Sequence, residues 1–197
     1  MVEYFTSGLP SSILFLRHAR TTWNTSGLTM GQSDIALSDI GKGEAEQVVA
    51  VLQRHPIDII VTSPLSRCLA TISPFRATGN HQLIVEPNLS ERSWGVHEGQ
   101  PNLKRRQETN PEGGETDEEF HHRVRMALDA LPKEKNILVV SHSGVFREIC
   151  RCGYVSDIPF SKVPHATPIR LLRKDECTVK ERHGWAKQHF PRHSGQG

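Results

Sequence analysis

The stretch Ser12-Ile13-Leu14-Phe15-Leu16-Arg17-His18 decides the fold. Side chains of a strand alternate between faces, so an unbroken apolar run that ends abruptly in charge reads as a short strand buried on both sides. Strands of that kind belong to α/β sheets covered by helices. The C-terminal end of this one delivers Arg17 and His18, and strand C-termini are where open α/β sheets place their chemistry.

The rest of the chain extends this pattern. Ile57-Asp58-Ile59-Ile60-Val61-Thr62 is a second β-branched run, residues 83–86 form a weaker third strand, and residues 136–140 form a fourth. Strands over 168–172 and 177–182 close the domain. Between them lie helices. Ser38 is placed to cap one that runs to about residue 54 and buries Ala45, Val48, Val49 and Leu52. Ser63-Pro64 reads as the cap and first-turn proline of another, with Arg67 in its first turn. Thr116 and Glu119 form a capping box for a third, whose Phe120, Val124, Ala127, Leu128 and Leu131 fall at helical spacing before Pro132 stops it. A fourth spans 145–151. Residues 21–36 read as a long functional loop with a helical turn. Residues 87–114, punctuated by glycine and proline, arch over the sheet with a short helix at 103–108. The predicted fold is α/β: a three-layer α/β/α sandwich with a mostly parallel central sheet. One domain covers residues 1–186, and the polar, glycine-ended 187–197 is expected to be a disordered tail.

Composition narrows the function classes. The 197 residues carry 24 basic and 22 acidic side chains, a net charge of +2, so no overall field is available to hold a nucleic-acid backbone. The basic side chains of the tail lack a regular aromatic platform, and Lys104-Arg105-Arg106 reads as a solvated helix face. No run approaches the ~18 apolar residues of a membrane span, and the first sixteen residues lack the basic start and apolar stretch of a signal peptide. A cytoplasmic protein binding neither membrane nor nucleic acid is expected. Cys68, Cys150, Cys152 and Cys177 have no disulfide-framework spacing and read as reduced thiols. The eleven histidines include no His-Glu-x-x-His, which argues against a zinc site.

Two strand ends carry histidine, His18 and His142, each followed by a small residue, Ala19 or Ser143. A histidine alone at such a place is an ordinary polar cap. Arg17, and Arg67 at the next strand-to-helix junction, give the pair its interest.

These residues fall into four motifs. They are Arg17-His18-Ala19-Arg20-Thr21-Thr22-Trp23-Asn24, then Ser63-Pro64-Leu65-Ser66-Arg67, then Leu89, Glu91, Gly95, Glu98 and Gly99, and finally Ser141-His142-Ser143-Gly144. In that order the sequence resembles the histidine phosphatase superfamily, also called phosphoglycerate mutase-like. The resemblance implies metal-independent phosphoryl transfer with no cofactor. His18 would be the nucleophile, forming a phosphohistidine. Arg17, Arg67 and His142 would hold the phosphoryl oxygens, with Asn24 and the backbone N–H of Ser143 as further donors. Glu91 would give a proton to the leaving oxygen and later activate water, and Glu98 reads as its structural neighbour. His18, Glu91, Arg17, Arg67 and His142 are thus the candidate catalytic set, with no metal ligand among them.

The sequence departs from the family pattern at three points. Ala19 replaces the usual glycine, adding a methyl group and removing tolerance for positive φ. Arg20 stands where Glu or Gln is common and is expected to favour more acidic substrates. The usual glutamine after Arg67 is absent from Arg67-Cys68-Leu69-Ala70-Thr71. Glu115 resembles a family residue near the substrate, although an interaction with the helix dipole explains it equally well.

Cofactor-dependent mutases of the family carry a long insertion after the glutamate motif, whereas only residues 100–115 stand there in this chain. A short cover admits water and favours hydrolysis. The expected activity is therefore that of a histidine acid phosphatase-type phosphomonoesterase acting on a small phosphorylated metabolite. A phosphoglycerate mutase-type phosphotransferase is the alternative. A catalytically inactive phospho-ligand-binding protein is less consistent with the intact residue set. Oligomeric state is not legible.

Overall fold

A computed structural model describes residues 9–102, 110–159 and 162–175. Strands β1 (Ser12–Arg17), β2 (Ile59–Thr62), β3 (Gln82–Val85), β4 (Ile137–Ser141), β5 (Tyr154–Val155) and β6 (Pro168–Arg173) form one sheet in the order β3-β2-β4-β1-β6-β5. The pairs β3-β2, β2-β4 and β4-β1 are parallel, whereas β6 runs antiparallel to both β1 and β5. The sheet is thus mostly parallel, as the two-sided apolar runs require.

Alternation along the strands divides the core between two faces. Ile13, Phe15, Ile59, Val61, Ile137 and Val139 pack with Phe120, Val124 and Leu128 of helix α4 (Asp117–Asp129) and with Phe146 and Ile149 of α5 (Ser143–Arg151). On the other face Leu16, Ile60, Leu138 and Val140 pack with Val48 and Leu52 of α2 (Asp39–Leu52) and with Ile72 and Phe75 of α3 (Ser66–Arg76). A one-residue slip of any central strand would exchange these two sets of partners. A four-residue helix, α1 (Thr22–Thr25), supplies the turn expected in the 21–36 loop.

Helix starts follow the predicted chemistry at α2, where Ser38 accepts from the N–H of Gly41, and at α4, where Thr116 and Glu119 complete the capping box. Two starts differ. The helix after β2 begins at Ser66 rather than at Ser63-Pro64, and the carboxylate of Asp34, far away in sequence, accepts from both the N–H and the hydroxyl of Ser66. A cap supplied from another loop leaves no local signature. Helix α5 begins at Ser143, two residues early, because His142 at the end of β4 already has the extended backbone of a cap. The two-residue β5 had no apolar run to announce it. The strand expected at 177–182, the helix at 103–108 and the tail at 187–197 lie outside the described residues.

Candidate active site

Sheet register assembles the site. Arg17 lies opposite Ser141 in the parallel β1-β4 pair, and the His18 N–H donates to the Ser141 carbonyl at 2.9 Å. The ladder therefore carries His18 and His142 past the sheet edge side by side, with ring centroids 5.2 Å apart. On the far side of β4 the Ser63 N–H donates to the Val140 carbonyl, which brings Ser63 next to His142.

His18 is buried, and its Nδ1 lies 2.7 Å from the Ala19 carbonyl. A carbonyl only accepts, so Nδ1 carries the hydrogen and Nε2 keeps a lone pair. Burial, then Arg67 and Arg17, push the imidazole well below its usual range, which favours the neutral form a nucleophile needs. Ala19 is accommodated without strain. It has no positive φ, its methyl group packs with Leu37 and Ala45, and its N–H donates to Thr71 Oγ1 at 2.8 Å.

Arg67 is fully buried, with Nη1 donating to the Ser33 carbonyl at 2.8 Å, Nη2 to the Gly31 carbonyl at 2.7 Å and Nε directed at His142 Nδ1 at 3.4 Å. Arg17 Nη1 donates to the Val163 carbonyl at 2.7 Å. His18, Arg17, Arg67, Glu91, Asn24 and Ser143 line one polar cavity of about 70 Å³. His142 does not reach its wall. It is fully buried behind Arg67, with Nε2 2.9 Å from Ser63 Oγ and 3.5 Å from Cys68 Sγ. Burial, reinforced by Arg67, holds His142 well below its usual range too.

Glu91 is delivered by the loop after β3. Ser141 Oγ donates to the Leu89 carbonyl at 2.7 Å, tying this loop to the end of β4. The Glu91 carboxylate then accepts from the N–H of Arg92 at 3.0 Å and of Gly144 at 3.1 Å. Arg123 completes the anchorage by donating to the carbonyls of Asn88, Ser90 and Glu91. Glu115 grips Arg123 through both carboxylate oxygens and accepts from the Ser93 N–H, so its role lies in holding this loop rather than at the helix dipole.

Arg123 was missed by sequence reasoning, although a cation three residues after Phe120 and four before Ala127, on an otherwise apolar stripe, was a usable signal. Leu28, Met30 and Asn102 also line the cavity, and no sequence pattern marks them. Asn24 reaches the cavity while its Oδ1 accepts from the N–H and hydroxyl of Thr21. Arg20 pairs with Glu44 at 2.8 Å instead of standing free, which cancels the local charge expected to favour acidic substrates.

A larger cavity, about 270 Å³, opens at the opposite end of the strands beside His55, Asn136 and Arg170. It contains no paired acid and base, so size does not identify the site. No group of three metal-ligating side chains occurs among the described residues, and none of their helices is long and apolar enough to cross a membrane.

Comparison with known proteins agrees with this arrangement. The chain is 30% identical over 158 residues to a 2,3-bisphosphoglycerate-dependent phosphoglycerate mutase from Cytophaga hutchinsonii, covering 70% of this chain and 74% of that one. It is 29% identical over 148 residues to phosphoserine phosphatase 1 from Hydrogenobacter thermophilus, covering 66% and 70%. The fold matches the crystal structure of a phosphoglycerate mutase from Thermus thermophilus with a TM-score of 0.65 at 25% identity, covering 81% of this chain and 91% of that one. The sequence profile of the histidine phosphatase superfamily (branch 1) matches residues 13–169, four-fifths of the chain, and the protein belongs to that superfamily.

Proposed function

We propose that the chain is a phosphomonoester hydrolase that acts on a small phosphorylated metabolite through a phosphohistidine at His18. The observation that carries this reading is the committed tautomer of His18, whose Nε2 lone pair shares one cavity with two guanidinium groups and the Glu91 carboxyl group. Nε2 attacks phosphorus, the bond to the leaving oxygen breaks, and protonated Glu91 supplies that oxygen with a proton. Water then attacks the phosphohistidine, Glu91 takes its proton, and inorganic phosphate leaves. Arg17 and Arg67 stabilise the charge on the phosphoryl oxygens throughout. His142 acts from behind by fixing Arg67, a more indirect part than direct phosphate contact.

Phosphoglycerate mutase activity is the second reading, favoured by the relative that bears that name. The brief connection between the glutamate loop and α4 supports hydrolysis instead, since water reaches the phosphoenzyme more readily under a short cover. A cytoplasmic setting accompanies this proposal.

Release of inorganic phosphate from p-nitrophenyl phosphate tests the proposal. Activity should persist in EDTA, and labelled substrate should leave an acid-labile phosphoenzyme that is absent in His18→Ala. Loss of activity on chelation, or undiminished labelling of His18→Ala, would overturn the mechanism. Exchange between 2- and 3-phosphoglycerate faster than hydrolysis would establish the mutase reading.

A further inference from the structure

The Arg67 guanidinium is held by a strap of residues 31–34, through the carbonyls of Gly31 and Ser33. One end of the strap is fixed by Asp34, which binds the start of α3, the helix that carries Arg67. Its middle, at Gln32 and Ser33, is fixed by Glu98. Its Oε1 accepts from the N–H of Gln32 at 2.9 Å and of Trp94 at 3.0 Å, and its Oε2 accepts from the N–H of Ser33 at 2.7 Å and from Ser33 Oγ at 2.5 Å. Gly31 is shaped to this carboxylate, because a Cβ there would stand 2.0 Å from Glu98 Oε1 and 2.7 Å from the Arg92 carbonyl. Burial raises the Glu98 carboxyl, and the hydrogen bonds from Ser33, Trp94 and Gln32 outweigh burial and keep it ionised.

We propose that Glu98 is a positioning residue for phosphate binding: it fixes the strap at 31–34, whose two carbonyls set the pose of the Arg67 guanidinium. The inference rests on the reading of the cavity as a phosphoryl site. Glu98 itself does not line that cavity. Two carbonyls each hold one terminal nitrogen of Arg67, so a small displacement of the strap rotates the planar guanidinium and misdirects the N–H groups left for an anion. Bulk negative charge is not what matters here. The carboxylate works because four donors converge on it from two loops.

The test is a double-mutant cycle read by calorimetric binding of inorganic phosphate, with p-nitrophenyl phosphate kinetics alongside. Glu98→Gln replaces an acceptor oxygen with a donor facing Ser33 or Gln32, and should weaken phosphate binding about tenfold and raise KM similarly. In an Arg67→Ala background the same change should alter phosphate binding by less than about twofold, because its intermediary is gone. If the two losses multiply in the double variant, Glu98 does not act through Arg67. Should Glu98→Gln fail to fold, Ser33→Ala removes one donor to the carboxylate while leaving the backbone bonds, and enters the same cycle with an expected loss of about threefold. A wild-type chain that binds phosphate and shows the coupling but hydrolyses nothing would refute the hydrolase reading and leave this inference standing. A wild-type chain that hydrolyses ester but shows no coupling would do the reverse. Absence of both phosphate binding and ester hydrolysis in the wild type would overturn both.

Discussion

Gly144→Ala is a sharp test of where the proton comes from. A Cβ at Gly144 would stand 2.0 Å from Glu91 Oε1, 3.0 Å from its Cδ and 3.3 Å from Oε2. All three atoms are at the end of a flexible side chain, so the carboxyl group yields and the helix stays. It must retreat by roughly 1.4 Å to reach ordinary contact, and misplacement on that scale can cost about 10²-fold in rate. Gly144 has no positive φ and sits inside α5, where alanine is the better helix former by up to about 1 kcal/mol. Folding should therefore be unharmed while catalysis falls. General acid catalysis contributes about 10² to 10⁴-fold, or roughly 3 to 5 kcal/mol of barrier. The loss should be largest for alkyl phosphates, whose leaving oxygen needs a proton, and small for p-nitrophenyl phosphate, whose leaving group departs as an anion. Steady-state kcat on both substrates, beside Glu91→Gln, reads this out. An alkyl phosphatase loss below about tenfold, with an unchanged melting temperature, would refute Glu91 as the proton donor in this pose.

Two further outcomes are expected. His18, His142 and His165 are all lowered in the folded state by burial, His165 to about 4, while in the unfolded chain each takes up protons near 6.5. The unfolded state therefore binds more protons below pH ~6.5, and stability should fall with decreasing pH by on the order of 1 kcal/mol per histidine per pH unit, the share of His165 levelling off near pH 4. Urea midpoints at pH 7, 6 and 5 should show it, with a slope about one-third smaller in His165→Asn; an identical slope would exclude that residue. Arg20→Ala removes only a half-exposed ion pair to Glu44, so kcat/KM for acidic and neutral phosphate esters should change by less than about threefold, and a selective loss for acidic esters would restore the substrate role expected from sequence.

The central sheet was legible because its strands are buried on both faces. In Ile13 to Leu16, Ile59 to Val61 and Ile137 to Val140 nearly every position is apolar, and that composition survives translation into structure without knowledge of the partner elements. Capping at Ser38 and Thr116 was legible because donor and acceptor lie within one turn. The start of α3 was not, since its cap is Asp34. The same distinction governs the site. His18, Arg17, Arg67 and Glu91 stand in motifs of fixed spacing, and their shared cavity follows from strand ends and one tethered loop. Arg20, Glu115 and Glu98 were harder because their meaning lies in partners from other segments: Glu44, Arg123 and the strap at 31–34. These partners stand 24, 8 and 66 positions away, and no local pattern encodes them.

The site keeps fixed charge and movable protons in separate hands. Arg17 and Arg67 are guanidinium groups that stay charged at any working pH, and their presence beside His18 and His142 disfavours imidazolium in both. Neither histidine can then bring a spare proton to the reaction at neutral pH. The hydrogen on His18 Nδ1 is committed to the Ala19 carbonyl, and His142 lies behind Arg67 with Ser63 as its partner. Among the described side chains that line the cavity, only Glu91 is left to carry a proton to the leaving oxygen and to recover one from water. Its two anchors, the N–H groups of Arg92 and Gly144, position it through neutral backbone donors rather than through a cation. An arginine salt-bridged to Glu91 would spend its charge and donors on the carboxylate rather than on phosphate and would favour the ionised form. The placement of Arg123 on the carbonyl of Glu91 rather than on its carboxylate avoids that pairing.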